Sequence, residues 1–456
     1  MNRTFRRIVA LSVAFMTGCT LGPQDAPATR MVTLSQTLPA MNIFPGAQVI
    51  SPSRPNAEIA RDFLDLAFRM ESGRIVPRMT RFEGPISVRA TGPIPASLIP
   101  DLRSLLGRLR SEAGIDISMT GAPQANITIE AVPRAELQRA VPRAACFVVP
   151  RVSSWEEFKR ARRTPQVDWT TLEQRTRAAI FVPADVAPQE IRDCLHEELA
   201  QALGPLNDLY RLPDSVFNDD NIHAVLTSFD MLILRAYYAP DLRNGMTRGE
   251  AGVRLLPLLS RLNPAGNQGA VQPRSDTPRN WIVAMENALT GGSSASARRN
   301  SAETAINLAR ASNWRGTRAG FAYYAYGRLQ VGSDPALALA AFEQAQEVYR
   351  RSPRTALHAA HVAVQLAAFT LRNGDAAGTL RIVGPAIPVA RAHQNAALLA
   401  TLMMFQAEAL DMTGQTAQAN AVRLDSLGWA RYGFGSEEAV RARLREIAAL
   451  SPRNGS

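Results

Sequence analysis

The hydrophobic positions of this chain follow two rhythms, and the change between them divides it. Residues 56–71 set Ile59, Phe63, Leu66, Ala67 and Met70 at helical spacing. Residues 98–113 do the same with Leu102, Leu105, Leu106 and Leu109, and Gly114 follows as a stop. Around these helices, short alternating or continuous apolar stretches predict strands at 82–90, 115–119, 127–132, 146–149 and 178–182. A further helix starts near Pro188 and turns Ile191, Leu195, Leu199 and Leu203 inward. The Ala and Leu positions from 208 to 262 predict more helix, with caps at Thr227 or Ser228 and after the turn at Gly245-Met246-Thr247. This order describes an α+β domain over residues 56–262.

Residues 263–279 carry Pro264, Gly266, Gly269, Pro273 and Pro278, the composition of a linker. Residues 280–456 are helical throughout. Gly327, Ala338, Phe342 and Ala345, with Pro353 beyond them, resemble a tetratricopeptide-type repeat, in which small residues let two helices approach and Phe342 fills the groove. A second pair of helices turns at Asn373-Gly374-Asp375. A third turns at Gly414, with Ala407 and Ala419 at close-packing positions. A plain helical bundle is the alternative. The expected fold is therefore α+β, a twisted mixed sheet with its motif helix, followed by an all-α helical-repeat domain.

The first nineteen residues read as an address. Arg3, Arg6 and Arg7 precede a short apolar core, and Met16-Thr17-Gly18-Cys19 resembles a bacterial lipoprotein cleavage box with Cys19 as the lipidated residue. Residues 20–55 then form a tether rich in prolines and small polar residues. Cleavage before Cys19 removes three arginines and no acid, so the net charge of +11 becomes +8. The positive charge is scattered, and no nucleic-acid-binding module is present, so nucleic acid is not an expected partner. The expectation is a cell-envelope protein, held to a membrane by its N-terminal lipid and facing the periplasm. In such an oxidising compartment Cys146 and Cys194 form a candidate disulfide; two separate buried thiols are the alternative.

Residues 197–208 read EELAQALGPLND. They keep the spacing of the zinc-protease motif His-Glu-x-x-His-x-x-Gly-x-x-His while replacing its ligands. Glu197, Gln201 and Asn207 stand at the ligand positions, Glu198 at the general-base position and Gly204 at the turn glycine. On a helix Glu197 and Gln201 share a face. A left-handed Gly204 would end the helix and swing Asn207 back toward Gln201. One carboxylate and two amides hold zinc poorly. The expected cofactor is none: the three form a hydrogen-bonded polar cluster in place of a metal. Asp208, Asp219 and Asp220 could add oxygens, and these would favour calcium or magnesium if any ion binds. His196 is out of register, since its motif partner would be Ala200.

The likeness runs further. Ser215-Val216-Phe217 resembles the turn beneath the metal of metzincin proteases, with Phe in place of Met. Leu226-Thr227 and Asp230, followed by Leu234 to Tyr238, resemble matrixin-like members. Cys194, Asn207-Asp208, Ser215, Phe217 to Asp220, Leu226-Thr227 and Gly245-Met246-Thr247 resemble the proteobacterial family called domain of unknown function 2927, whose members look like lipoproteins of unassigned activity. The expectation for this chain is a non-catalytic, protease-like domain joined to a helical interaction domain, with an envelope protein or glycan as partner. The alternatives are an atypical hydrolase using Glu198 as general base, and a purely structural scaffold.

Overall fold

The computed structural model describes residues 38–452 except 45, 47–51, 53, 143 and 272–274. The predicted signal segment, Cys19 and the first part of the predicted tether lie outside the described residues. The described residues from 39 onward belong to one compact unit.

Five strands build a mixed sheet: β1 (Ile86–Thr91), β2 (Ile117–Met119), β3 (Ile127–Val132), β4 (Phe147–Pro150) and β5 (Ala178–Pro183), in the order β2-β1-β3-β5-β4. All neighbours are parallel except β4, the antiparallel edge, whose Phe147 pairs with Phe181. The predicted strand at 82–90 starts only at Ile86, because Gly84 takes a positive φ and Pro85 donates no hydrogen bond. β5 is buried along its whole length, so both faces of the sheet are covered.

On one face Ala178, Ile180 and Val182 share a core with α1 (Asn56–Ala67) and α2 (Leu98–Ala113). On the other face Ala179 and Phe181 lie under α3 (Arg134–Ala140) and α4 (Trp155–Ala161). There the rings of Phe147, Trp155, Phe158 and Phe181 pack with centroids 5.0–6.3 Å apart. These two helices have no counterpart in the sequence prediction. At seven residues each they are too short to show a helical period, and α4 is announced only by Ser154, whose side chain caps Glu157 N–H.

The motif helix α5 (Pro188–Leu203) opens on a proline at its first turn and buries the predicted stripe, with Ile191, Leu195, Leu199 and Leu203 at most 1 % exposed. The helix expected from residue 208 onward is delayed. Residues 204–227 form no regular helix or strand, and α6 (Ser228–Tyr237) and α7 (Arg248–Leu262) follow. Side chains replace the helical ladder in this loop: Asn218 Nδ2 donates to Leu212 O, Asp220 N–H to Asn218 Oδ1, and Ile222 N–H to Asp220 Oδ1. The two predicted caps form as full capping boxes, Thr227 with Asp230 and Thr247 with Glu250.

Nine helices complete the described chain: α8 (Arg279–Leu289), α9 (Ala295–Ala311), α10 (Thr317–Gln330), α11 (Pro335–Arg350), α12 (Ala356–Arg372), α13 (Ala376–Ala392), α14 (Ala396–Met412), α15 (Thr416–Phe434) and α16 (Glu437–Ala448). Each packs against the next. Gly374 and Gly414 turn two of the hairpins at φ of +76° and +77°, where a side chain would be strained. A Cβ on Gly327 would sit 2.7 Å from the ring of Phe342, the close approach that the sequence predicts for this pair.

The array also folds back on the sheet domain. Arg192 Nη2 donates to Gln394 O at 2.6 Å, Gln189 bonds Asn395 and Ala397 N–H, and Tyr432 donates to Asp101. Residues 39–44, within the predicted tether, lie along α15: Asn42 N–H donates to Gly428 O and Phe44 stacks on Trp429 at 4.5 Å.

Cys146 and Cys194 are joined, 48 residues apart in sequence, which ties the start of the edge strand β4 to the middle of α5. In the loop-entropy account a ring of this size contributes about 4 kcal/mol. Chemical denaturation of the oxidised chain with and without reductant is expected to show a loss approaching that figure. An unchanged midpoint would mean that the bond adds nothing to the packing of α5.

Candidate functional site

The end of α5 is shaped by a residue far from the motif. Arg175 is 4 % exposed, and its guanidinium donates to Gln201 O, Ala202 O and Gly204 O at 2.6–2.7 Å. These are carbonyls that a helix C-terminus leaves without an internal partner. Burial lowers the Arg175 pKa, and Trp169 stacks on the guanidinium at 4.8 Å. Gly204 does not adopt the expected left-handed conformation: its φ is −169°. Packing demands the glycine instead, since a Cβ there would lie 3.0 Å from the ring of Tyr237. Leu206 N–H then bonds Leu66 O on α1, and the chain leaves the helix toward α1.

This exit gives the two amides at the ligand positions different partners. Asn207 Nδ2 donates to Asp65 O at 3.0 Å, not to Gln201. Gln201 Nε2 reaches Asp208 Oδ2 at 3.4 Å. The three-member cluster of Glu197, Gln201 and Asn207 expected in place of a metal is thus replaced by two separate contacts for the amides. Glu198 is 5 % exposed. One of its oxygens accepts from Val148 N–H on β4, and Oε2 is buried without a hydrogen-bond partner. Burial, then the charges of Glu197 and Glu71, hold its carboxyl well above the usual carboxylate range.

The supporting positions divide in two directions. Ser215 donates to Asp230 Oδ1 at 2.5 Å and accepts from Phe217 N–H, while Phe217 is fully buried. Asp220 turns to the helical array and accepts from His358 Nε2 at 2.9 Å. Asp219 turns the other way and gathers with Asp208 and Glu71, their ligating oxygens within 4.8 Å of one another. Burial and neighbouring negative charge raise three carboxyls of this region: Glu197 to about 8, Asp219 to about 7, and Asp208 well above its usual value. Glu71 is absent from the sequence prediction. Its one local signal is the turn it occupies, where Gly73 has φ +81° and donates to Met70 O.

Two clefts of about 350 Å³ each flank this region. One is lined by Glu71, Asn207, Asp208, Tyr210 and Asp219 together with Arg279 and Glu286 of α8; Glu197, Glu198 and Gln201 do not line it. The other has seven arginines in its wall, among them Arg211, Arg315 and Arg354, against the three acids Glu58, Asp62 and Asp65. His196 serves the fold: its buried Nδ1 accepts from Leu226 N–H at 3.1 Å.

Residues 56–256 match the family described as protein of unknown function (DUF2927), in agreement with the resemblance carried by Cys194, Asn207-Asp208 and Ser215 to Asp220. The match covers the sheet domain and most of α7. No curated protein matches the chain.

Four of the five histidines meet where the sheet domain faces the array. The His223 ring lies 5.9 Å from that of His358 and 5.3 Å from that of His393, and His361 is one helical turn beyond His358. Burial and the neighbouring rings depress His223 and His393, and burial with His358 and Arg328 takes His361 down to about 3. Asp214 acts on His393 in the opposite sense, and Asp220 faces His358. A depressed histidine contributes stability that is complete above the unfolded pKa of about 6.5 and is lost as pH falls toward the folded value. The raised carboxyls act with the opposite sign at higher pH, so the comparison must be made between variants. His361→Leu is expected to flatten the loss of stability between about pH 6.5 and 4, by at most about 1.4 kcal/mol per pH unit. Parallel denaturation profiles of wild type and variant would refute the assignment.

Proposed function

We propose that this chain is an envelope lipoprotein whose protease-like domain does not catalyse hydrolysis and serves, with its helical array, as a binding body. The observation that carries this reading is the state of Glu198. A general base must be ionised and must reach water or substrate. Glu198 is buried, bonded to the edge strand, held toward its protonated form and absent from the wall of the adjoining cleft. The residues at the zinc-ligand positions add to the argument, because Gln201 and Asn207 are spent on Asp208 and on the Asp65 carbonyl. The metzincin-like frame is on this reading a scaffold, and the hairpin array resembling tetratricopeptide repeats extends its surface. The arginine-rich cleft favours an acidic protein segment or glycan as partner.

Two measurements test this. Protein purified without added metal is expected to hold zinc far below one ion per chain, and its background on peptide substrates should be unchanged by Glu198→Gln. Stoichiometric zinc, or a peptidase activity removed by both Glu198→Gln and a chelator, would establish the hydrolase reading instead. For the anchor, Cys19→Ala is expected to move the protein from the membrane fraction to the soluble fraction. A wild-type chain that already fractionates as soluble with a free N-terminus would end the lipoprotein assignment.

A further inference from the structure

We propose that the arginine-rich cleft between α1, the start of α10 and the turn from α11 to α12 is a binding site for a phosphate monoester carried by a sugar. This rests on reading the cleft as a binding surface and gives that reading a ligand class. The charges of the cleft do not balance. Seven arginines of the wall face Glu58, Asp62 and Asp65. From outside the wall Asp214 pairs with Arg54, Glu347 with Arg351, and Asp276 acts on Arg318, while Arg248 takes part of Asp65. Asp230 also acts on Arg54, last of its partners, and is itself bonded to Ser215 and Thr227. Positive charge is still in excess, and two residues show where. Arg315 is exposed and Arg354 half-buried, and neither side chain forms an ion pair or hydrogen bond among the described residues.

Three further features of the wall point to an anion. The guanidinium of Arg54, 3 % exposed, gives Nη1 to Asp62 and Nη2 to Asp214, and its buried Nε is left without an acceptor. A buried donor in that state is one that a ligand oxygen satisfies. Burial and the charge of Arg211 lower the Arg318 pKa to about 10, as expected where cations outnumber their partners. The 14-residue helix α10 opens on the cleft behind Gly316 with no side-chain cap, and the N–H groups of Thr317 and Arg318 have no acceptor among the described residues. Such an end adds to the field that the arginines set up for a phosphate. A phosphate monoester carries close to two negative charges at neutral pH, matching the two unpaired guanidinium groups. Carboxylates of an acidic segment arrive singly, on a backbone that needs a longer groove than a cavity of about 350 Å³. Pro213 and Val348 are the apolar side chains of the wall, against the hydroxyls of Thr317 and Ser352, so the rest of the ligand has to be polar, as a sugar is.

The full chain would be titrated by calorimetry at low salt with inorganic phosphate, glucose 1-phosphate, glucuronate and a tetraglutamate peptide. The expected result is one saturable site for glucose 1-phosphate with a Kd below about 1 mM, weaker binding of inorganic phosphate, and no binding of glucuronate or the peptide. Affinity should fall as the pH drops through about 6, where the ester takes up its second proton. Arg315→Ala and Arg354→Ala should each weaken binding about tenfold or more, the order of a lost hydrogen bond to a charged group. Neither arginine has a partner to lose, so thermal unfolding should be unchanged in both. Arg103→Ala, exposed on α2, should leave binding unchanged. No saturation by either phosphate ligand up to that concentration would overturn the proposal, as would an affinity unchanged in both cleft variants or glucuronate bound as tightly as the ester. Binding of the peptide without the ester would also overturn it, while keeping the cleft as a surface for an acidic protein segment. Release of inorganic phosphate from the ester would uphold the site and refute the non-catalytic reading.

Discussion

The buried guanidinium of Arg175 decides where the motif helix stops and where the chain goes next. Its donors take three carbonyls at the end of α5, Tyr238 donates to a fourth at Leu203, and the Tyr237 ring closes over Gly204. A helix end buried without such donors would leave several polar groups unpaired, each costing about 1–3 kcal/mol. The direction of the exit then dictates the chemistry. Pro205 and Leu206 run toward α1, so Asn207 meets the Asp65 carbonyl and Asp208 comes under Gln201. Side chains that keep the spacing of a metal site in sequence need not converge in space, because convergence depends on the turn and not on the count of residues.

Charge is sorted around this helix. The chain is strongly basic, and seven of its arginines line the cleft beside α1, where Arg54 and Arg211 meet Asp62 and Arg211 and Arg248 meet Asp65. On the other side burial, with the charges of Glu71 and of one another, raises the pKa values of Glu197, Asp208 and Asp219. Burial is the first cause of each shift and repulsion the second, so relief must come from a proton or a cation. The array contributes residues to both clefts, Arg315 to Arg354 to one and Arg279 to Glu286 to the other.

Much of the fold was legible because it rests on local rules. The α5 stripe, the two capping boxes, the strand positions and the glycine turns at Gly374 and Gly414 each follow from residues within a few positions of one another. The pairing of Cys146 with Cys194 was open on sequence and needed the sheet to bring β4 beside α5. The site was less legible. Glu71 and Arg175 reach it from distant segments; the turn at Gly73 is the one local signal for Glu71, and none marks Arg175. Gly204 was assigned to the wrong constraint, since a close ring and a left-handed turn both ask for glycine. The loop at 208–227 carries apolar residues at near-helical spacing, but its Asn and Asp side chains bind nearby backbone and displace the helix.

The helix α5 has a structural use of its own. One face fills the core with Leu195, Leu199 and Leu203, and Cys194 ties it to the edge strand. Near its start, Gln189 and Arg192 bind the turn between α13 and α14, while Gly435 lies against Ala187, where a Cβ would be 3.1 Å from its Cα. Most of α5 is therefore in use by packing, crosslink or docking, and Glu190, Asp193 and Glu197 are left half-buried. Glu198 belongs to that set: it hydrogen-bonds Val148 on the strand that Cys146 precedes. A residue at the general-base position can be held in place by the sheet alone. Its place is accounted for by that packing, and any chemistry has to be argued from the carboxyl groups that the fold brings to the cleft, Glu71, Asp208 and Asp219.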